Sequence, residues 1–469
     1  MDKILAHYIM PHPPIIVEEV GKGEEVKAEN TLKACDSIGR EVEKLKPSTI
    51  IIITPHGPLF SDALAISSGS TIKGDLGSFN APAVEFNINI DEQLTELIRQ
   101  KAAEKDLIVV PIDETSANQY GISTELDHGS MVPLYFINKY YKNYNIVHIT
   151  YGLLSKVKLY EFGIAIKEAV SVQDKSVVVI ASGDLSHRLS EEGPYGFSEA
   201  GVEFDRKLLE LLKNGDVEGI FSIDRMLIKG AGECGLRSFY ILFGSMEQKD
   251  INGEVLSYEA PFGIGYGVMK FNSKENKEKN MLSKISEIRK KEIEAIRQCE
   301  DIYAKLARSS LEHYVKTGEY ITMPLLHDKM LKERNGVFVS IKKEEELRGC
   351  IGTIFPSTDC IANEIIRNSV EAGLHDPRFS PIDEEELEDL EYSIDILMKP
   401  TEASREELDP EKYGVIVRCD SRCGVLLPNL EGIDTVEEQL SIALDKADIY
   451  PEENYSIEKF EVVRRGSKC

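Results

Sequence analysis

The chain has 469 residues, of which 55 are Lys or Arg and 81 are Asp or Glu, so its formal net charge at pH 7 is -26. This length is typical of two or three domains with separate hydrophobic cores. Because a strong negative charge repels phosphate backbones and anionic lipid headgroups, we expect neither a nucleic-acid partner nor a membrane partner.

No apolar stretch approaches the roughly 20 residues needed to span a bilayer, and the first residues lack the basic and apolar regions of a signal peptide. The eight cysteines are too sparse for a disulfide scaffold and suit a reducing compartment. We therefore expect a cytoplasmic protein. The sequence leaves the oligomeric state open, a homo-oligomer included.

Residues 1–271 alternate strand-like apolar runs with amphipathic segments. The runs at 50–53 and 178–180 consist of Ile and Val alone. Continuous runs of this kind are typical of strands that are buried on both faces of a parallel sheet. The alternation predicts the α/β fold class, with an α/β/α layered domain built around a largely parallel central sheet.

A polar segment at residues 272–282 separates this domain from the rest of the chain. Its first nine residues are wholly polar, which is typical of a linker. From residue 283 onward, apolar side chains recur at spacings of three and four, the pattern of a helix that opens a second domain. The predicted domains are therefore 1–271 and 283–469.

Four apolar segments of the first domain each run into a histidine, namely His12, His56, His128 and His187. Ligands of open α/β sheets bind outside the carboxyl ends of the strands, so we expect these imidazoles to meet at one edge. Imidazole binds borderline metals and titrates near neutrality, which indicates a metal site or an acid/base site. The other histidines have no comparable setting and are interpreted as structural: His7, His148, His313, His327 and His375.

The four histidines fall into two pairs by their neighbours. His12 and His56 lie beside prolines where a strand must stop; either alone would suit a strand cap, but two similar positions favour paired metal ligands. His128 and His187 each lie near an aspartate. Asp127 and Asp184 can fix an imidazole tautomer, although the spacing from Asp184 to His187 also suits a turn hydrogen bond. We assign the second pair to general acid/base chemistry.

The segment 230–235 is the best source of a third metal ligand, because its glycines permit close approach and it carries a carboxylate beside a thiol. With Glu233, the site would be the two-histidine, one-carboxylate face that suits non-haem Fe(II). With Cys234, it would be softer and favour zinc or copper. Each residue also has a structural interpretation, Glu233 as an exposed carboxylate and Cys234 as a small buried side chain.

These motifs together resemble a known family. Met-Pro-His-Pro-Pro at His12, Thr-Pro-His-Gly at His56, Asp-His-Gly at His128 and Ser-Gly-Asp-Leu-Ser-His ending at His187 are similar to the class III extradiol ring-cleavage dioxygenase B-subunit family and its Memo-like relatives. The resemblance covers roughly residues 1 to 271. It implies an Fe(II) ion held by His12 and His56, His187 as acid/base, His128 in the substrate pocket, and a small aromatic substrate with dioxygen.

The resemblance leaves two candidates for the third metal ligand. Dioxygenases of the family have a glutamate there and Memo-like members have a cysteine, whereas this chain has both residues side by side, Glu233 and Cys234.

Residues 283–469 resemble a different family. The Leu-Arg-Gly-Cys-Ile-Gly core around Cys350 and the His-Asp-Pro-Arg-Phe-Ser-Pro segment at His375 are similar to the AMMECR family, which implies an α+β domain. A dioxygenase-like half followed by an AMMECR half is similar to the fused form of AmmeMemoRadiSam system proteins. That resemblance implies a radical-SAM protein as a partner.

Cys350 has two interpretations. A thiol beside Arg348 has the setting of an activated nucleophile, with His375 as its partner. A Gly-Cys-Ile-Gly strand equally needs a small buried side chain, which cysteine provides.

Two hypotheses of function follow from the sequence. In the first, the amino-terminal domain is a metal-dependent oxidoreductase of the extradiol dioxygenase type. In the second, the histidine pocket binds a metal or ligand without turnover, and the chain is a scaffold for a radical-SAM partner.

Overall fold

The computed structural model describes residues 3–322, 328–343, 346–384, 386–430 and 433–466. His327, which the sequence analysis interprets as structural, lies outside the described residues. The chain divides into two units, Met1–Arg289 (unit 1) and Lys290–Cys469 (unit 2). Within the described residues, no helix combines the length and the apolar character that a membrane span requires.

The strands of unit 1 are β1 (Ile4–Met10), β2 (Thr49–Thr54), β3 (Leu64–Ser67), β4 (Thr71–Leu76), β5 (Ala81–Asn89), β6 (Val109–Ile112), β7 (Asn145–Thr150), β8 (Val177–Ser182), β9 (Lys249–Glu259) and β10 (Tyr266–Glu275). Its helices are α1 (Glu18–Gly21), α2 (Glu29–Leu45), α3 (Glu92–Ala103), α4 (Glu114–Tyr120), α5 (His128–Asn138), α6 (Lys156–Ser171), α7 (Glu199–Asn214), α8 (Val217–Phe221), α9 (Arg225–Ala231), α10 (Leu236–Gly244) and α11 (Met281–Gln298), within which the boundary between the units falls.

The central sheet of unit 1 has the strand order β6-β3-β7-β2-β8-β1-β10-β9. The inner strands β7, β2, β8 and β1 are parallel, whereas the pairs β3–β7, β1–β10 and β10–β9 are antiparallel. The predicted α/β class is therefore confirmed, with a sheet that is parallel at its centre and mixed at its sides.

Side chains of the inner strands pack into two separate apolar cores, one on each face of the sheet. Ile51 and Ile53 belong to one core with residues of α6 and α10, and Ile50 and Ile52 belong to the other with residues of α2 and α5. Successive side chains of a strand point to opposite faces, so a strand of four consecutive isoleucines needs an apolar layer on both sides. This arrangement is the predicted α/β/α layering.

The inner strands end together at one edge of the sheet. Met10 at the end of β1 pairs with Ser182 at the end of β8, and β8 also pairs with β2 up to Ile53. The segments that carry His12, His56 and Asp184 therefore leave the sheet side by side, as parallel strands in register require.

The predicted linker, residues 272–282, differs from the structure at both ends, because its last two residues begin α11 and its first four continue β10. Residues 272–275 continue β10 and pair with β9, from Asn272 opposite Asn252 to Glu275 opposite Lys249. Their side chains are exposed, so this extension of the ribbon needs no apolar face. A wholly polar composition therefore did not exclude a strand here.

Unit 2 has the strands β11 (Val337–Lys343), β12 (Glu346–Gly352), β13 (Leu390–Leu397), β14 (Thr401–Glu402), β15 (Gly414–Cys419), β16 (Arg422–Leu426), β17 (Ser456–Phe460) and β18 (Val462–Arg465), and the helices α12 (Ile302–Thr317), α13 (Asp328–Lys332), α14 (Ile361–Leu374) and α15 (Val436–Lys446). Its two sheets, β12-β11-β13-β18 and β14-β17-β15-β16, are antiparallel. Antiparallel sheets combined with helices are typical of the α+β class, so the predicted class of the second domain is confirmed.

Candidate metal centre

His12 is the buried centre of the site. Its ring is 2% exposed, its backbone N–H donates to Oδ1 of Asp184 at 3.0 Å, and its Nδ1 lies 2.9 Å from Oγ of Ser182. The Ser182 hydroxyl donates its one proton to the carbonyl oxygen of Gly129, so it accepts from His12. Nδ1 of His12 therefore carries the proton, and Nε2 presents a free lone pair, which is the tautomer of a metal-binding imidazole.

The imidazoles of His56 and His128 lie close to Nε2 of His12. Nε2 of His56 lies 3.0 Å from Nε2 of His12, and the ring of His128 stacks on His56 with centroids 4.3 Å apart. One ring nitrogen from each of the three histidines lies within 4.8 Å of the others. His12 and His56, predicted as paired ligands, are thus brought together, and His128 joins them although the sequence analysis assigned it to acid/base chemistry.

Cys234 and Asp184 form a second group with His12. Sγ of Cys234 lies 3.6 Å from Nε2 of His12, and Oδ2 of Asp184 lies 3.7 Å from the same nitrogen. This approach depends on two glycines, since a Cβ on Gly183 would lie 2.2 Å from the Cα of Gly235. The loop that carries Cys234 can therefore lie directly against the end of β8.

Glu233 faces away from this cluster. Its buried carboxylate accepts a hydrogen bond of 2.6 Å from the backbone N–H of Leu236, at the start of α10, and it belongs to neither metal-ligand group found in the described part of the chain. Of the two adjacent residues offered by the sequence for the third ligand, the structure brings only Cys234 to the histidines. Glu233 stabilises a helix end instead.

Burial and mutual repulsion lower the pKa values of the histidines in the cluster. Desolvation by the surrounding groups, with a smaller contribution from the neighbouring His128, lowers the pKa of His56 to about 4. Burial likewise lowers the pKa values of His12 and His128. It raises the pKa of Asp184 to about 7 against the opposing hydrogen bond from His12, and it raises the pKa of the Cys234 thiol.

His187 lies beside the cluster and is half-buried. Its Nε2 has no hydrogen-bond partner among the described residues, its ring stacks on Tyr195 with centroids 5.2 Å apart, and burial lowers its pKa. The expectation that Asp184 orients His187 is wrong, because both carboxylate oxygens of Asp184 face His12. Asp184 lies against His12 because β8, which precedes Asp184, is paired with β1, which precedes His12.

His148, interpreted as structural, is the site residue that sequence reasoning missed. Asp127 does not orient His128; its Oδ2 lies 2.9 Å from Nε2 of His148, whose Nδ1 lies 2.8 Å from Oγ of Ser67. His148 is 2% exposed in the middle of β7. The available signal was a histidine inside a fully buried strand, because such a side chain must find polar partners.

In unit 2, the residues proposed to activate Cys350 have other partners. Arg348 forms a bidentate pair with Glu386 at 2.7 and 3.1 Å, and the exposed His375 lies 3.4 Å from Glu371. The backbone of Cys350 is held on both sides: its N–H donates to Asp376 at 2.8 Å, and its carbonyl oxygen accepts from Arg378 at 3.1 Å. The His-Asp-Pro-Arg segment thus pairs the backbone of edge strand β12, and the geometry favours the structural interpretation of Cys350.

Both units match known family models. Residues 6–269 match the model of the catalytic LigB subunit of aromatic ring-opening dioxygenase, and residues 304–465 match the AMMECR1 model. The chain therefore belongs to the LigB family and carries an AMMECR1 domain after the LigB domain. Both resemblances inferred from the motifs are confirmed, and the first unit has a dioxygenase-like fold.

The relatives include one that spans almost the whole chain and others that match only a part of it. A protein of Clostridium acetobutylicum is 52% identical over 459 residues, which cover 97% of this chain and 98% of the relative. A protein of Thermotoga maritima is 45% identical over 168 residues, 34% of this chain and 95% of its own. Among solved structures, an uncharacterised protein of Pyrococcus horikoshii aligns at 28% identity and a TM-score of 0.33, over 36% of this chain and 90% of its own.

Proposed function

We propose that unit 1 is a metal-dependent oxidoreductase of the aromatic ring-opening class, which acts on a catechol-like substrate with dioxygen. The observation that carries the proposal is the pair of Nε2 atoms of His12 and His56, 3.0 Å apart at the carboxyl edge of the sheet. Two nitrogens bonded at about 2.1 Å to one ion, at roughly a right angle, are separated by about this distance.

The donors present suit a transition metal. His12 and His56 would hold the ion through Nε2, and the Cys234 thiol, which groups with His12 and Asp184 rather than with His56, would be the third ligand. Fe(II) is the metal that the family membership favours, and zinc or copper would suit the thiolate. When bound, such an ion supplies Lewis-acid and redox chemistry.

The remaining residues of the site hold protons and exclude water. His187 is neutral at pH 7 because burial lowers its pKa, and its Nε2 is unpaired within the described chain, so it can accept a proton from a substrate hydroxyl. Tyr195 covers one face of its ring. Phe79 contacts the His128 ring edge-on at 5.4 Å, which supplies an aromatic wall for a planar substrate.

Oxygen consumption tests this function. The full chain, loaded anaerobically with Fe(II), should consume dioxygen with at least one member of a panel of catechols and protocatechuate-like acids. His187→Gln should slow consumption by about 100-fold or more while metal content stays unchanged, since general acid/base groups typically contribute at least that factor. Metal-loaded protein that consumes no dioxygen with any member of the panel would contradict the proposal.

A second function is favoured by one observation, the presence of Cys234 rather than Glu233 at the cluster. A thiol ligand in place of the carboxylate is compatible with a metal-binding protein that does not turn over and that works as a scaffold with a radical-SAM partner. Tight metal binding without oxygen consumption is the result that favours this second function.

A further inference from the structure

A buried polar network lies behind the three histidines. His148 has both ring nitrogens bonded, Nε2 to Oδ2 of Asp127 at 2.9 Å and Nδ1 to Oγ of Ser67 at 2.8 Å. Asp127 also accepts from the hydroxyl of Thr54 at 2.5 Å. The hydrogen bonds from His148 and Thr54 outweigh the cost of burial and hold the pKa of Asp127 below its usual range. The carboxylate is thus an ionised acceptor between the His148 ring and the Thr54 hydroxyl.

The same carboxylate fixes the segments that carry His56 and His128. Thr54 ends β2, and its Oγ1 accepts from the backbone N–H of His56 at 3.3 Å. Asp127 is the N-cap of α5, where it accepts from the backbone N–H of Ser130 at 3.2 Å, and His128 is the first residue of that helix. The Asp127 carboxylate therefore fixes the backbone positions from which two of the three imidazole side chains, those of His56 and His128, extend.

The packing around this carboxylate leaves no room for displacement. A Cβ on Gly129 would lie 2.4 Å from Oγ1 of Thr54, 2.7 Å from Oδ1 of Asp127 and 3.3 Å from the ring of His56. The start of α5 is therefore pressed against the end of β2. A change in the position of Thr54 or Asp127 must move the imidazoles themselves.

We propose that Asp127 and His148, acting through Thr54, are positioning residues of the metal centre. They hold His56 and His128 in the arrangement that binds the ion, and they touch neither the ion nor the substrate. This inference rests on the proposed function, because it concerns the affinity of the same site. Partners of this kind typically contribute 10- to 100-fold to metal affinity.

The opposite end of β2 offers a matched control. Thr49 begins the strand, is fully buried like Thr54, and donates to Asp91 at 2.6 Å; Asp91 in turn caps α3. The two ends of one strand thus carry the same threonine–aspartate–helix arrangement, but only the Thr54 end leads to the histidines. Thr54→Val and Thr49→Val remove equivalent hydroxyls with similar costs to folding.

The experiment is a titration of the full chain with Co(II) as probe metal, followed by its absorption spectrum. Thr54→Val and Asp127→Asn should each weaken Co(II) binding by about 10-fold or more and change the spectrum. Thr54→Ser should restore binding, and Thr49→Val should leave affinity and spectrum unchanged. Circular dichroism identifies any variant that fails to fold, and Thr54→Ser against Thr54→Val then decides the question.

Two results would overturn different parts of the account. If Thr54→Val binds Co(II) like the unmodified chain while His12→Ala does not bind it, the positioning role is wrong and the metal centre stands. If His12→Ala also binds Co(II) normally, the metal centre itself is wrong, and the positioning role is wrong with it.

Discussion

Sγ of Cys234 lies 3.6 Å from Nε2 of His12, although 222 residues separate them in the chain. Two close approaches create this contact, the parallel pairing of β1 with β8 and the glycine-to-glycine contact of Gly183 with Gly235. Cys234 is half-buried, and desolvation and the neighbouring Asp184 raise the pKa of its thiol. A thiol in such a place becomes a thiolate only when a cation replaces its proton.

Exchange of Cys234 therefore tests the identity of the third ligand. Cys234→Ala should weaken Co(II) binding by at least 10-fold and remove the thiolate-to-metal charge-transfer absorption. The neighbouring Glu233→Gln is the matched control, because the Glu233 carboxylate bonds to the backbone of α10. Charge-transfer absorption that persists in Cys234→Ala would show that another residue is the third ligand.

The tautomer of His12 depends on Ser182. Ser182→Ala removes the acceptor of the Nδ1 proton, so the ring can rotate or protonate on Nε2 instead. We expect metal affinity to fall by about 10- to 100-fold. The thermal unfolding temperature of the apoprotein should also fall, because two buried polar groups lose their partner. Ser238→Ala, at another fully buried serine of unit 1, is the control and should leave affinity unchanged.

Much of this site follows from the sequence, and the reasons are physical. Strand-end histidines at 12 and 56 were predictable because uninterrupted β-branched runs indicate parallel strands that end at a common edge. The partners of the aspartates were not predictable. Asp127 and His128 are neighbours in the chain, but a helix begins between them and separates their side chains, so Asp127 faces β7.

The same reason explains the third ligand. Glu233 and Cys234 are adjacent, and no pattern in the sequence says which side chain turns toward β1. In the structure, the carboxylate of Glu233 accepts a hydrogen bond from the backbone at the start of α10. The thiol of Cys234 lies beside His12 instead.

In unit 2, the thiol of Cys350 should react slowly. Arg348 is bound to Glu386, the guanidinium of Arg378 beside Cys350 is paired with Asp376, and the hydroxyl of Ser340 lies 3.2 Å from the sulfur. Within the described residues, each guanidinium near the thiol is therefore already bound to a carboxylate. We expect its labelling at pH 7 to be no faster than that of a model cysteine peptide. Labelling followed by peptide mass analysis measures this rate, and a rate tenfold above the peptide would restore the nucleophile hypothesis.

The Glu386 cluster makes unit 2 sensitive to acid. Burial opposes the ionisation of Glu386, but hydrogen bonds from Arg348 and Lys343 outweigh it and lower its pKa from 4.5 to about 2. A lowered carboxyl pKa contributes stability above the unfolded value, and this contribution is lost as the pH falls from about 4.5 toward 2. The contribution is on the order of 2 kcal/mol.

Hydrogen exchange of the β11 and β12 amides measures this effect. Exchange in Glu386→Gln should be faster than in the unmodified chain at pH 6, and the difference should shrink as the pH approaches 2. A difference that is the same at both ends of this range would mean that the carboxylate charge does not contribute.

Metal analysis of the full chain tests the central claim most directly. After anaerobic loading with Fe(II) and removal of unbound metal, the account predicts about one iron per chain. His12→Ala and His56→Ala should each lower the affinity by at least 10-fold, whereas the control His375→Ala, at an exposed histidine of unit 2, should not. Iron binding that is undiminished in both His12→Ala and His56→Ala would contradict the account.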